Sequence, residues 1–168
     1  PEDSAVVWRG PMLFKAIDQF FRDVAWGDLD DLVIDLPPGT GDVALTIAQK
    51  VPVTGALIVV TPQNMALSDA RKAVDMFKRI NVPLLGVVEN MAYLRSDSSD
   101  EETPLFPAGD LNAYLDAKGI EKLARVPFHP HVGLACESGI PAVSSYPDSP
   151  EAQAFVDLAK KVVALQKS

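Results

Sequence analysis

Residues 31–45 read DLVIDLPPGTGDVAL, and the reading of this junction decides the fold. Asp31 to Leu36 is a short, nearly all-apolar run with an acid, Asp35, at its end. Pro37 and Pro38 stop regular structure, while Gly39 and Gly41 admit backbone angles closed to other residues. Asp42 then stands as an N-cap for VALTIAQK, a short helix stopped before Pro52. The junction therefore reads as a buried strand that delivers a carboxylate and a loop of free amides to the rim of a sheet.

The flanking sequence repeats the strand-then-helix pattern. GALIVVT (residues 55–61) is a second buried strand, and Gln63 to Ile80 is a long helix with Ala66, Ala70, Ala73, Val74, Phe77 and Ile80 facing inward. PLLGVVEN, Pro83 to Asn90, is a third buried strand. Upstream, Gly10-Pro11 opens a helix whose apolar face is Leu13, Ile17, Phe20, Phe21 and Val24. Downstream, RSDSSDEETP (Arg95 to Pro104) reads as a solvated loop. A helix at Leu111 to Ala117, a strand at Leu123 to Val126 and a PFHPHV turn follow. Pro150 opens a last amphipathic helix with Phe155, Leu158, Val162 and Leu165 on one face, and that stripe reads as core packing.

Strands without polar alternation, separated by helices, predict an α/β fold: a mostly parallel sheet with helices on both faces and right-handed crossovers. In such sheets ligands bind beyond the carboxyl ends of the strands. That rule singles out Asp35 to Gly41, Thr61-Pro62 and Glu89-Asn90-Met91. With no internal repeat, residues 1–168 are expected to form a single domain.

Composition narrows the function. A net charge of −8 disfavours a broad nucleic-acid or anionic-membrane surface, so neither partner is expected. The apolar runs are too short to span a bilayer, and no signal peptide is visible. A lone cysteine, Cys136, excludes a disulfide framework and suits a reducing compartment, the cytoplasm or a reducing organelle interior.

Two phosphate-binding readings of the junction compete. Gly39-Thr40-Gly41-Asp42-Val43-Ala44 satisfies the dinucleotide pattern G-x-G-x-x-G/A. Two prolines, however, separate it from the strand, and the ribose-binding acid expected about 20 residues on is replaced by Val59-Val60-Thr61-Pro62. The alternative is the acid-bearing segment of a nucleotide hydrolase. There Asp35 holds Mg²⁺ through water and Gly39 offers its amide to a terminal phosphate. A bare D-x-P would be only a rigid turn; the whole octet D-L-P-P-G-T-G-D favours the hydrolase.

AVVWRGPM, DVAWGDLDDLVIDLPPGTGD, VVTPQNMALSDARKAVDMF, GVVENMAYL and GIPAV together resemble the Mrp/ApbC family of P-loop ATPases, relatives of MinD and ParA implicated in iron–sulfur cluster carriage. The resemblance runs through nearly the whole chain. It implies an ATP- and Mg²⁺-dependent protein in which Asp35 is the Mg²⁺-side acid and Gly39 a γ-phosphate sensor with Thr40 beside it. It also implies that Asn90 recognises the adenine edge and that Pro127 and Phe128 lie near base and ribose. An Asn amide carries both a donor and an acceptor, as the N6/N7 edge requires, although a strand-end cap would use the same side chain. Thr61-Pro62 reads as helix-entry punctuation. Trp8 and Arg9 fit a switch or subunit contact, or equally a buried anchor and a surface cation.

The sequence departs from that family twice. No G-x-x-x-x-G-K-[ST] occurs, so the phosphate cradle, its lysine and its Mg²⁺-binding hydroxyl are lacking. The resemblance places that loop upstream of Pro1. The chain is thus expected to be the C-terminal part of a longer nucleotide-binding domain, inactive alone. Losing the cradle strand would bare sheet edges, and a homodimer is the expected remedy. Second, C-x-x-C, common after the ENM segment, is absent. A cluster and its apo iron–sulfur client proteins are therefore implied by resemblance alone. Cys136 would give at most two thiolates per dimer and reads as a small core residue. His129 and His131, an H-x-H with no other visible partner, are weak evidence for a metal. Two other readings stay open: a MinD/ParA-like positioning ATPase, and a non-enzymatic partner-binding module that has lost its nucleotide site.

Overall fold

The computed structural model describes residues 10–36, 42–96 and 99–166. They fall into two compact units, Pro1–Val53 and Thr54–Ser168.

In the first unit, α1 (Gly10–Arg22) packs on α2 (Asp42–Lys50), burying Ile17, Ala44 and Ile47. The indole Nε1–H of Trp26 donates to the Phe20 carbonyl at 2.9 Å, occupying one of the acceptors left at the end of α1. The expected apolar face of α1 is only partly covered, with Phe20 and Val24 exposed. Residues 31–36 correct a second expectation: they are not a strand. Val33 is 91% exposed. An apolar run yields extended backbone, but a strand exists only where a neighbour completes its ladder, and none of the described residues does so here.

The second unit is built on a three-stranded parallel sheet in the order β1 (Ala56–Val60), β2 (Leu84–Glu89), β5 (Lys122–Arg125). Helix α3 (Asn64–Arg79) packs on β1 and β2, burying Leu67, Ala70, Val74 and Phe77. Strand β1 alternates: Ala56, Ile58 and Val60 are buried, whereas Leu57 and Val59 are exposed. Between β2 and β5 the backbones approach closely at Gly86. A Cβ there would stand 2.8 Å from the Glu121 carbonyl and 2.6 Å from Leu123 Cγ.

The loop expected at residues 95–104 is largely an antiparallel hairpin, β3 (Leu94–Ser96) with β4 (Ser99–Thr103). Its cause lies in the sheet. The chain leaving β2 runs beside the chain leaving β5, with Ala92 N–H donating to the Val126 carbonyl and Phe128 N–H to the Tyr93 carbonyl. That path holds β3 extended, and Arg95 then stands opposite Glu102, a favourable cross-strand pair.

Helix α4 (Leu111–Lys118) buries Leu111 and Leu115 and ends on left-handed Gly119. The expected PFHPHV turn becomes helical at its second proline, opening α5 (Pro130–Ser138). After α6 (Ala142–Ser145), α7 (Pro150–Gln166) packs against α6 and β5. Its expected apolar stripe is only partly covered: Leu158 and Val162 are half-buried, Phe155 and Leu165 are exposed, and the fully buried residues of α7 are Glu151 and Ala152 in its first turn.

Candidate functional site

The carboxyl ends of β2 and β5 converge. Glu89 and Arg125 are register partners, and Val126 N–H donates to the Glu89 carbonyl at 2.8 Å. Asn90 follows β2, its N–H donating to the Val60 carbonyl at 2.8 Å, so it also touches the end of β1. Its Oδ1 accepts the Met91 amide at 3.0 Å, and Met91 takes a left-handed φ of +49°. The side chain thus caps the strand end. A carbonyl oxygen has a second lone pair and the NH₂ has two protons, so the cap leaves donor and acceptor capacity for a base edge.

On the neighbouring strand end Pro127 is buried and the Phe128 ring is 44% exposed. The structure therefore sets Asn90 beside the chain that leaves β5 toward Pro127, with Phe128 further along, next to Tyr93 and Leu94. At the end of β1, Pro62 is buried, and the buried Gln63 Oε1 has no hydrogen-bond partner among the described residues. Asn64 Oδ1 accepts the Asp110 amide at 2.8 Å, and Gly109 is so close that a Cβ would lie 2.7 Å from the Pro62 carbonyl.

A buried ion pair fixes these strand ends. Lys122 Nζ lies 2.6 Å from Glu89 Oε2, and Arg125 reaches the same oxygen at 3.6 Å while bonding Glu102 at 3.0 Å. The Arg125 guanidinium also sits over the Tyr93 ring, 4.9 Å from its centroid.

Asp35 lies in the first unit, exposed on the irregular segment 31–36. An exposed carboxylate suits a Mg²⁺ held through water. Gly39, Thr40, Trp8 and Arg9 lie outside the described residues. Cys136, expected in the core, is exposed on α5.

The structure adds a third member, Glu151, to the His129–His131 pair. His129 caps α5, its Nδ1 accepting the His131 amide at 3.3 Å. Glu151, 2% exposed in the first turn of α7, places Oε1 2.9 Å from His131 Nδ1 and 3.3 Å from His129 Nδ1. Burial pushes this carboxyl up. Its own backbone amide and the bonds from His131 and Ser149, with the charge of His129, outweigh that and hold it below the usual value.

A parallel α/β sheet with polar side chains gathered at the carboxyl ends of its strands is the arrangement in which such folds bind their ligands. The family described as NUBPL iron-transfer P-loop NTPase, of the ParA group, matches residues 1–163, and the chain belongs to that family. It is 48% identical over 159 residues to an iron–sulfur cluster carrier protein of Aquifex aeolicus, covering 95% of this chain and 44% of that protein. It is 46% identical over 164 residues to the iron–sulfur cluster transfer protein NUBPL of Dictyostelium discoideum, covering 96% and 50%. The chain thus spans about half the length of the curated relatives it matches. Among solved structures, a nucleotide-binding protein of Archaeoglobus fulgidus in complex with ADP superposes with a TM-score of 0.71 at 35% identity, over 85% of this chain and 57% of that one.

Proposed function

We propose that this chain carries the base-recognition edge and the Mg²⁺-side acid of an ATP-dependent iron–sulfur cluster carrier. The observation that supports it best is the position of Asn90, with amide capacity to spare, at the carboxyl end of β2 beside the chain that leaves β5 toward Pro127 and Phe128. The similarity to proteins named as cluster carriers supplies the cargo.

In this reading ATP supplies a terminal phosphate whose presence or loss sets the state of the protein. Asn90 accepts from and donates to the adenine edge, and Phe128 covers a face of the base while Pro127 holds that backbone in place. Asp35 orients the water shell of Mg²⁺, and the Gly39 amide, with Thr40 beside it, points at the γ-phosphate. The lysine and cradle amides that would carry most of the charge stabilisation are not in this sequence, so these residues position the nucleotide and do not bind it tightly unaided.

The cluster is cargo, and this chain does not supply its ligands. With a single cysteine, two copies give two thiolates where four are needed. The carrier acts as a homodimer in a reducing compartment and hands its cluster to apo iron–sulfur clients. Anaerobic reconstitution of the full-length protein should give thiolate-to-iron absorption and ATP-sensitive transfer to an apo acceptor. Asp35→Asn should abolish the Mg²⁺-dependent turnover of that protein. Absence of both the absorption and the transfer under those conditions would remove the reading.

A further inference from the structure

The corner between β5 and α5 holds a group that nucleotide recognition does not use. A nitrogen from each of His129 and His131 and one Glu151 oxygen lie within 4.8 Å of one another. Tetrahedral coordination with bonds of roughly 2.0–2.1 Å places ligand atoms about 3.3 Å apart. The two distances to Glu151 Oε1, 3.3 and 2.9 Å, are close to that spacing.

The surroundings are those of a held ligand set. Glu151 and His129 are buried, so their geometry is fixed by packing. The His131 ring stacks on Tyr146 with centroids 4.0 Å apart and planes within 10°, which sets its orientation. His131 is itself half-buried, leaving one side of the cluster open to solvent.

To accept the His131 amide, the His129 Nδ1 must present a lone pair, and that lone pair then stands 3.3 Å from the carboxylate oxygen. A cation among the three atoms would instead take that lone pair, a lone pair of His131 and the carboxylate oxygen together. The long His129 cap bond is the interaction such a cation would displace.

We propose that His129, His131 and Glu151 bind a divalent first-row transition ion of the zinc type, joining the start of α5 to the start of α7. Two imidazoles and one carboxylate suit such an ion, whereas Mg²⁺ and Ca²⁺ call for oxygen donors throughout. The site stands apart from the nucleotide reading and does not depend on it.

The test is calorimetric titration of the chelator-stripped full-length protein with Zn²⁺ in excess Mg²⁺, beside Co²⁺ absorption. Wild type should bind one equivalent that Glu151→Gln and His131→Phe both lose, or bind at least tenfold more weakly. His131→Phe keeps a ring against Tyr146, so it separates ligand loss from loss of fold, and thermal melting without metal checks both variants. Cys136→Ser should bind as wild type does. Equal Zn²⁺ binding in wild type and His131→Phe, or loss of the equivalent in Cys136→Ser alone, would overturn the site.

Discussion

Lys122 Nζ stands 2.6 Å from Glu89 Oε2, crossing from β5 to β2 one residue before Asn90. The two side chains are 19% and 12% exposed, so little water screens the pair. Removing the lysine leaves a buried carboxylate with only the more distant Arg125 beside it. Lys122→Met should therefore lower stability by about 3 kcal/mol, read as a shifted urea midpoint at unchanged slope. Adding Glu89→Gln to that variant should recover much of the loss. A double variant no more stable than Lys122→Met would show that the pair was not the cause.

Gly86 sets how closely β2 and β5 can lie. A methyl group there meets the Glu121 backbone, which cannot rotate away, as well as the Leu123 side chain. Gly86→Ala is expected to cost about 2 kcal/mol, in the range found for overpacked cores. Thermal melting decides it, and an unchanged midpoint would mean the strands separate without penalty.

Tyr93 gives a pH signature. Burial raises its phenol above the ordinary value of 10.0 and the Glu102 charge adds to this, while Arg125 and Arg95 act the other way. The folded protein thus holds this proton more tightly than the unfolded chain. The resulting stabilisation is complete below the unfolded value near pH 10 and is lost as pH rises through the higher folded value. Tyr93→Phe should flatten the alkaline limb of the stability curve and remove the highest tyrosinate step in ultraviolet titration. Superimposable alkaline curves for the two proteins would contradict this.

Turnover by this chain alone is expected to be nil. The sequence contains no G-x-x-x-x-G-K-[ST], and phosphoryl transfer draws most of its acceleration from the amides, lysine and metal that such a loop organises. Phosphate release from ATP with Mg²⁺ should match a buffer blank. Magnesium-dependent release from homogeneous protein would mean that another group supplies the missing charge.

These expectations divide along a physical line. β1, β2 and α3 were legible because each carries its own signal, an apolar run or a 3.6-residue period ending in turn residues. The hairpin at residues 94–103 was not, because SDSSDEET has no strand propensity. It is paired because the backbone at Ala92 and Tyr93 is already committed to the chain leaving β5. Residues 31–36 fail in the opposite sense, having strand propensity without a ladder partner. At the candidate site, Asn90 stands at the strand end where its sequence position put it, whereas Pro127 and Phe128 were named from family likeness alone. Glu151 was invisible as the partner of His129 and His131: it lies 20 residues beyond His131 in an ordinary helical first turn, and only the packing of α7 joins it to them.

Asn90 has two candidate roles, and one substitution separates them. Its Oδ1 holds the Met91 amide across a left-handed turn, a task any acceptor of that length can perform. Reading adenine requires in addition an N–H donor toward N7, which a carboxylate lacks. Asn90→Asp therefore keeps the cap and deletes the donor, whereas Asn90→Ala deletes both. If Asn90 reads the base, full-length Asn90→Asp should bind ATP roughly tenfold more weakly, about 1.4 kcal/mol, with thermal stability near wild type. Discrimination between ATP and GTP should fall with it. If the side chain serves only the turn, Asn90→Asp will bind ATP as wild type does and Asn90→Ala will lose stability first. Calorimetric ATP affinities read beside melting temperatures decide between these outcomes, because the cap moves the second quantity and base recognition the first.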